Sequence, residues 1–218
     1  MIGSAPLEAA EATQLREKFY NATIIERIDA NDELARFRIR PDNPIPSFEP
    51  GQYVALGIGN WERRLHGTQP EEIPEKKIRK LTRRAYSISC PMLDAEGRVA
   101  PVDSLDHFEF YITLVRQASS PDNKPPVLTP RLFEFAVGDR LEVQKKITGH
   151  YTLREVGVND TVLMLGTGTG EAPHNAMTAK LLAEGHQGKI VNVTSVRRRV
   201  DLAYAVEHAE LMRQYSQY

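Results

Sequence analysis

The feature that most restricts the fold is the apolar run Val162-Leu163-Met164-Leu165, followed at once by Gly166-Thr167-Gly168-Thr169-Gly170-Glu171-Ala172-Pro173. A short continuous apolar run suits a strand buried on both faces. Glycines and threonines then let the chain reverse, and Pro173 stands where a helix tolerates it, in the first turn. The spacing predicts a helix over 172–184, ended by Gly185. A second β-branched run, 190–196, is followed by Asp201. That residue is placed to cap a helix whose apolar face is Leu202, Ala205, Val206, Ala209 and Met212. Strand, helix, strand, helix is the order of a parallel α/β layer.

Upstream of Asp160 the period differs. Short β-branched or aromatic runs at 21–28, 34–40, 52–58, 84–89, 108–115 and 140–145 alternate with turn residues such as Pro50-Gly51 and Val137-Gly138-Asp139. Several short strands at this spacing predict an antiparallel barrel or sandwich. The chain therefore reads as two domains, a β domain and then an α/β domain, joined near 156–160. Two parallel strands leave unpaired edges and a small core. The second domain thus reads as incomplete, as part of a longer protein or as a short form completed by a partner chain. Polar stretches at 60–80 and 119–126 are expected to be mobile loops. Leu7, Leu15 and Phe19 lie at helical spacing in an N-terminal extension, 1–18, that reads as a surface helix packed on the body.

Composition narrows the function classes. Of 218 residues, 41% are hydrophobic and 26% charged, enough apolar material for a core. A net charge of -1 gives no global attraction to nucleic acid or anionic membrane. No stretch reaches the roughly 18 apolar residues of a membrane span, and 1–18 lacks the apolar run of a signal peptide. Cys90 is the single cysteine, which excludes an internal disulfide or a multi-cysteine metal centre within these residues and fits a cytoplasmic setting. It reads as a small packing residue. The six histidines have no metal-ligand spacing, and none is assigned to catalysis.

Four constellations could carry chemistry. In Arg84-Ala85-Tyr86-Ser87, strand alternation puts Arg84 and Tyr86 on one face, offering a guanidinium to a phosphate and a ring to a flat heterocycle. In Leu128-Thr129-Pro130-Arg131-Leu132, Thr129 is a good N-cap, so a short helix beginning there would present free N–H groups to an anion. In 166–173, glycines between strand and helix let the backbone approach a pyrophosphate. Arg197-Arg198-Arg199 follows the second strand, where arginine favours a 2′-phosphate on an adenosine ribose. Each also has a plain structural reading, as strand, capped helix, turn or solvated basic turn.

Taken in order, these motifs resemble the ferredoxin–NADP reductase family, particularly its bacterial branch, from about Phe19 to Tyr218. Phe48-Glu49-Pro50-Gly51-Gln52-Tyr53 looks like that family's entry to its third barrel strand, and Phe108-Glu109-Phe110-Tyr111 like the strand behind the flavin. The resemblance implies a six-stranded antiparallel Greek-key β-barrel over 19–157 that holds FAD, followed by part of an NADP-binding α/β domain over 158–218. It places Arg84 at the FAD pyrophosphate and Tyr86 on the flavin, with Ala85 between them in the cofactor site and the Ser87 hydroxyl near flavin N5. Ser87 and Tyr86 are then the catalytic candidates. Tyr111, Val127, Leu128 and Thr129 would complete the FAD site. Gly166, Thr167, Gly168, Thr169 and Gly170 would hold the dinucleotide with Thr169 towards the flavin, and Val196 and Arg197 would contact NADP.

The implied activity is hydride exchange between NADP(H) and the flavin, with one-electron transfer to or from ferredoxin or flavodoxin. The same two domains also serve as the reductase component of oxygenase systems, and a non-catalytic flavin- or nucleotide-binding module is a third reading. The chain departs from the family at Glu171, a place often apolar in relatives, where the side chain is expected to face solvent or bond a loop N–H. It also departs in the long 60–80 insertion, and in having no counterpart of the family's later nicotinamide-site residues and C-terminal segment.

Overall fold

The computed structural model describes residues 7–218. Its first unit is one six-stranded sheet: β1 (Ala22–Asn31), β2 (Leu34–Pro41), β3 (Tyr53–Gly59), β4 (Leu81–Ser87), β5 (Phe108–Thr113) and β6 (Arg140–Val143). The order is β4-β3-β6-β1-β2-β5, with every pair antiparallel. The two end strands approach each other through a bridge between Ser89 and Glu109, so the sheet rolls into a barrel. Alternation explains the core. Phe108, Phe110 and Ile112 of β5 join Val54, Leu56 and Ile58 of β3 and Phe37 and Ile39 of β2 inside.

The first strand of the α/β unit, β7 (Val162–Thr167), runs parallel to β8 (Ile190–Ser195), from Val162 opposite Ile190 to Thr167 opposite Ser195. A 3₁₀ turn, Gly168–Glu171, leads into an α-helix over Ala172–Ala183. The helix ends where expected, with Gly185 at a φ of 74° just beyond it. It is buried on nearly every side, because it lies between the parallel strands and the barrel. The core at this junction is shared: Leu34, Cys90, Met92, Val102 and Tyr111 of the barrel pack with Met164, Ala176, Met177, Tyr204 and Leu211. Gly51 marks how closely the parts approach. Its φ is 98°, and a Cβ there would stand 2.5 Å from Cε of Met177 in the helix of the α/β unit. Leu163, Leu165 and Val193 are exposed. No helix among the described residues is long and apolar enough to cross a membrane.

Several expectations need correction. The last helix spans Ala205–Gln214 and is not capped by Asp201, which sits in a 3₁₀ turn, Arg199–Asp201, and accepts from the Arg198 backbone N–H. Its inward face also differs, since Val206 and Met212 are 80% and 59% exposed while Leu211 is buried. Docking runs through Tyr204, Leu211 and an ion pair from Glu207 to Arg36, so the apolar-face count misjudged the orientation. Strand β4 starts at Leu81, three residues before the expected 84, because an edge strand with Thr82, Arg83 and Arg84 hides its alternation.

The 60–80 segment is tied down through Glu71, which pairs with Arg64 and Arg131. The N-terminal helix, Ala9–Phe19, lies on the body as expected. Arg16 donates to Glu62 at 2.6 and 2.8 Å, and Phe19 and Tyr20 pack against Trp61.

Candidate functional site

Four predicted residues, Arg84, Ala85, Tyr86 and Ser87, lie at the end of edge strand β4. In the β3–β4 register Tyr86 stands opposite Val54 and Arg84 opposite Leu56, so both share the face that carries the barrel core. The Tyr86 ring is half-buried and meets Phe110 edge-on at 6.5 Å. Burial pushes its phenol well above the usual range, more than Arg84 lowers it, so the hydroxyl stays protonated. Neighbouring Arg83 is taken by Glu142 at 2.6 and 2.8 Å. Arg84 is exposed and donates only to the Arg83 carbonyl, 2.8 Å away, with no ion pair among the described residues.

The segment Val127-Leu128-Thr129 leads into one helical turn, Thr129–Leu132. Thr129 is not its cap as expected: it is already helical, and its Oγ1 accepts the Val115 N–H at 3.1 Å, pinning the turn to the chain leaving β5. Arg131, 1% exposed, donates to Glu71 at 2.9 Å and also to the Val127 and Asn60 carbonyls. Arg64 donates to the same Glu71 at 2.9 Å and to the Gln69 and Pro126 carbonyls. One largely buried carboxylate between two arginines thus ties the 60–80 segment to 126–131, which overturns the reading of it as a mobile loop. Sequence reasoning missed Arg64 and Glu71. The only available signal was an arginine inside the otherwise apolar turn at 128–133.

The Gly-rich loop is the 3₁₀ turn between β7 and the Ala172–Ala183 helix. Gly166 is needed for packing, as a Cβ would come within 3.2 Å of the Glu171 nitrogen and 3.3 Å of His174 Nδ1. Gly168, at φ 52°, and Gly170 differ: a Cβ on either would meet nothing within 4 Å, so a ligand can approach their backbone. Glu171 turns neither to solvent nor to a loop N–H. It is 1% exposed, with Oε1 2.6 Å from His208 Nε2. His174, in the first turn of that helix, has Nε2 3.0 Å from the Tyr151 hydroxyl. Burial lowers its pKa, against a smaller opposing pull from Glu171.

A crevice of about 440 Å³ opens where β7 and β8 end, facing the β1–β2 hairpin. It brings together the predicted Thr167, Gly168, Val196 and Arg197, and adds Asn31, Glu33 and Asp201. Arg198 is engaged by Asp201, while Arg197 is exposed and has no ion pair among the described residues. Thr169 and Gly170 continue the same turn. Tyr111 lies apart from Tyr86 and Ser87. It is 3% exposed, its hydroxyl donates to the Asp201 carbonyl at 2.7 Å, and its ring meets Tyr204 edge-on at 5.3 Å. Cys90 is fully buried, its thiol pushed up to about 12 by burial. Among the described residues no three histidine, cysteine or carboxylate side chains cluster to hold a metal.

No family model matches the chain. It is 28% identical over 180 residues to the flavodoxin/ferredoxin–NADP reductase of Buchnera aphidicola, covering 83% of this chain and 58% of that protein. It is 29% identical over 174 residues to the ferredoxin–NADP reductase of Azotobacter vinelandii, covering 80% and 53%. Among solved structures it resembles a ferredoxin NADP⁺ reductase from Neisseria gonorrhoeae with bound FAD and NADP. There the TM-score is 0.63 at 19% identity, over 89% of this chain and 65% of that one. The resemblance carried by the motifs is therefore met by curated relatives, and the barrel followed by a parallel α/β unit is the fold of that reductase. The chain spans a little over half the length of the curated relatives it matches.

Proposed function

We propose that this chain is the cofactor-binding part of a ferredoxin–NADP reductase-type oxidoreductase, with 19–157 holding FAD and 158–218 contributing to the NADP(H) site. The observation that carries the reading is a pair of anion-accepting surfaces on one body. Arg84 on β4 and Arg197 after β8 are both exposed and without carboxylate partners among the described residues, and Arg197 stands in the same crevice as Gly168. The Neisseria reductase binds FAD and NADP, which supports the same two cofactors here. Ferredoxin or flavodoxin is the electron partner in this reading, as the names of the relatives support, and the proposed setting is cytoplasmic.

Bound FAD would supply the redox chemistry, taking a hydride from the nicotinamide and passing its electrons singly to the acceptor. The chain's residues bind and orient. Arg84 would hold the FAD pyrophosphate by charge, with Ala85 beside it in the cofactor site. Tyr86, kept neutral by burial, offers its ring for stacking, and the Ser87 hydroxyl can donate a hydrogen bond to the reacting edge of the flavin. The Val127–Thr129 backbone, held by the Arg64–Glu71–Arg131 cluster, supplies further contacts, with Tyr111 behind. Gly166 to Gly170 present backbone to the dinucleotide phosphates, and Val196 and Arg197 take the adenosine end. The test is a titration of the flavin-free chain with FAD, followed by quenching of flavin fluorescence. Arg84→Ala should weaken binding by roughly ten- to a hundredfold, the value of a charge-assisted contact. Equal binding by both forms would contradict the placement.

A further inference from the structure

Tyr204 is among the largest fully buried side chains of the protein, and none of the residues discussed so far explains why a tyrosine stands there. It leaves the α/β unit just ahead of the last helix and enters the barrel side. Its hydroxyl donates to Oε1 of Glu109 on β5 at 2.8 Å and lies 3.2 Å from Ser89 Oγ. Glu109 is itself fully buried, and its other oxygen accepts from Arg38 Nε at 2.8 Å. The Arg36 guanidinium lies 4.5 Å from the centre of the Tyr204 ring and donates to Glu207, one turn further along the chain. One side chain of the α/β unit is thus gripped by a carboxylate, a hydroxyl and a guanidinium of the barrel.

Burying a carboxylate is costly unless it is paired and hydrogen-bonded. Here the cost fixes an orientation, because Glu109 is fully satisfied only when Tyr204 is in place. Both ends of the contact lead to the proposed reacting surfaces. Tyr204 follows Asp201, which lines the crevice with Arg197 and Gly168, and Ser89 lies two residues after Ser87. A displacement of about 1 Å between reacting partners can cost on the order of a hundredfold in rate.

We propose that Tyr204 and Glu109 are a positioning pair that sets the register of the nucleotide crevice against the flavin-bearing strand. This rests on the oxidoreductase reading above. The pair acts on the rate of flavin reduction by the nucleotide and leaves FAD affinity unchanged, since neither residue lies on the face that carries Arg84 and Tyr86.

The test compares the whole chain with Tyr204→Phe, Glu109→Gln and the double variant, each checked for a cooperative melt. Tyr204→Phe keeps the ring and its packing. It should bind FAD as the parent does, and anaerobic NADPH should reduce that FAD about tenfold or more slowly at saturation, with a smaller change in the NADPH concentration at half-maximal rate. The double variant should be no slower than the worse single one, as expected of residues acting through one contact. Independently of activity, amide hydrogen exchange over 197–203 should speed up by about tenfold in Tyr204→Phe.

Unchanged exchange in Tyr204→Phe overturns the pair as a strut, and faster exchange with parental reduction kinetics overturns its positioning role. If parental FAD is not reduced by NADPH at all, the oxidoreductase reading falls and the kinetic role with it, while exchange still decides whether the contact holds the units together. Should Glu109→Gln fail to fold, Tyr204→Phe alone decides the matter.

Discussion

Oε1 of Glu171 lies 2.6 Å from Nε2 of His208, so the carboxylate in the Gly-rich turn is directed into the α/β unit, against the last helix. Its second oxygen is buried and has no partner among the described residues, so the contact with His208 is the strong one seen there. His208→Ala should therefore destabilise the chain by about 2–3 kcal/mol in urea unfolding, the cost of stranding a buried acceptor. Adding Glu171→Leu should recover much of the loss. A His208→Ala loss under about 0.5 kcal/mol, the size of an ordinary surface change, would contradict the contact.

His174 makes stability depend on pH. Burial holds its pKa below the ordinary value, whereas in the unfolded chain it titrates near about 6.5. Between those two values the unfolded state binds more protons, so stability rises with pH there. Its contribution is complete above about pH 6.5 and is lost as pH falls through the interval below. His174→Phe should flatten that part of the curve in urea titrations at closely spaced pH, and an identical slope in both proteins would contradict the shift.

Glu71 joins the 60–80 segment to the turn that carries Arg131. Glu71→Ala leaves Arg131, 1% exposed, without its carboxylate and should cost about 3 kcal/mol. Through Val127, whose carbonyl Arg131 also holds, the change should weaken FAD binding by roughly tenfold. Calorimetric melting and FAD titration check the two effects. Loss of neither would mean that the insertion is held by other contacts.

Arg197 should decide between the two nicotinamide nucleotides. Arg197→Ala removes an exposed guanidinium of the crevice, so NADPH should bind about ten- to a hundredfold more weakly while NADH is little affected. Initial rates with both nucleotides measure this. An equal loss with both would place Arg197 on a group they share.

Much of the fold was legible because burial and alternation agree. Phe108, Phe110 and Ile112 alternate towards the core, and the 162–165 run is a parallel strand, though Leu163 and Leu165 are exposed and the strand is not buried on both faces as the run implied. What escaped was set by contacts between distant segments. Glu109 and Arg36 occupy the polar positions of their strands and read as solvent-facing, yet Tyr204 buries both. The 60–80 stretch reads as a loop by composition, because only the folded chain places Glu71 between Arg64 and Arg131. Val206 and Met212 look like an inward face, but a tyrosine just before the helix and an ion pair set its rotation. Of the site, Arg84 and Tyr86 followed from strand period. Thr167, Gly168 and Arg197 followed from strand–loop–helix order, whereas Asn31 and Glu33 come from a hairpin more than 130 residues away in sequence.

The most direct test of the central claim is the visible spectrum of the FAD-loaded chain, recorded anaerobically before and after NADPH. The account predicts flavin absorption that bleaches with NADPH, faster than with NADH. A chain that fails to take up FAD contradicts the account outright, and bound FAD that NADPH leaves oxidised contradicts its assignment of the crevice to the nucleotide.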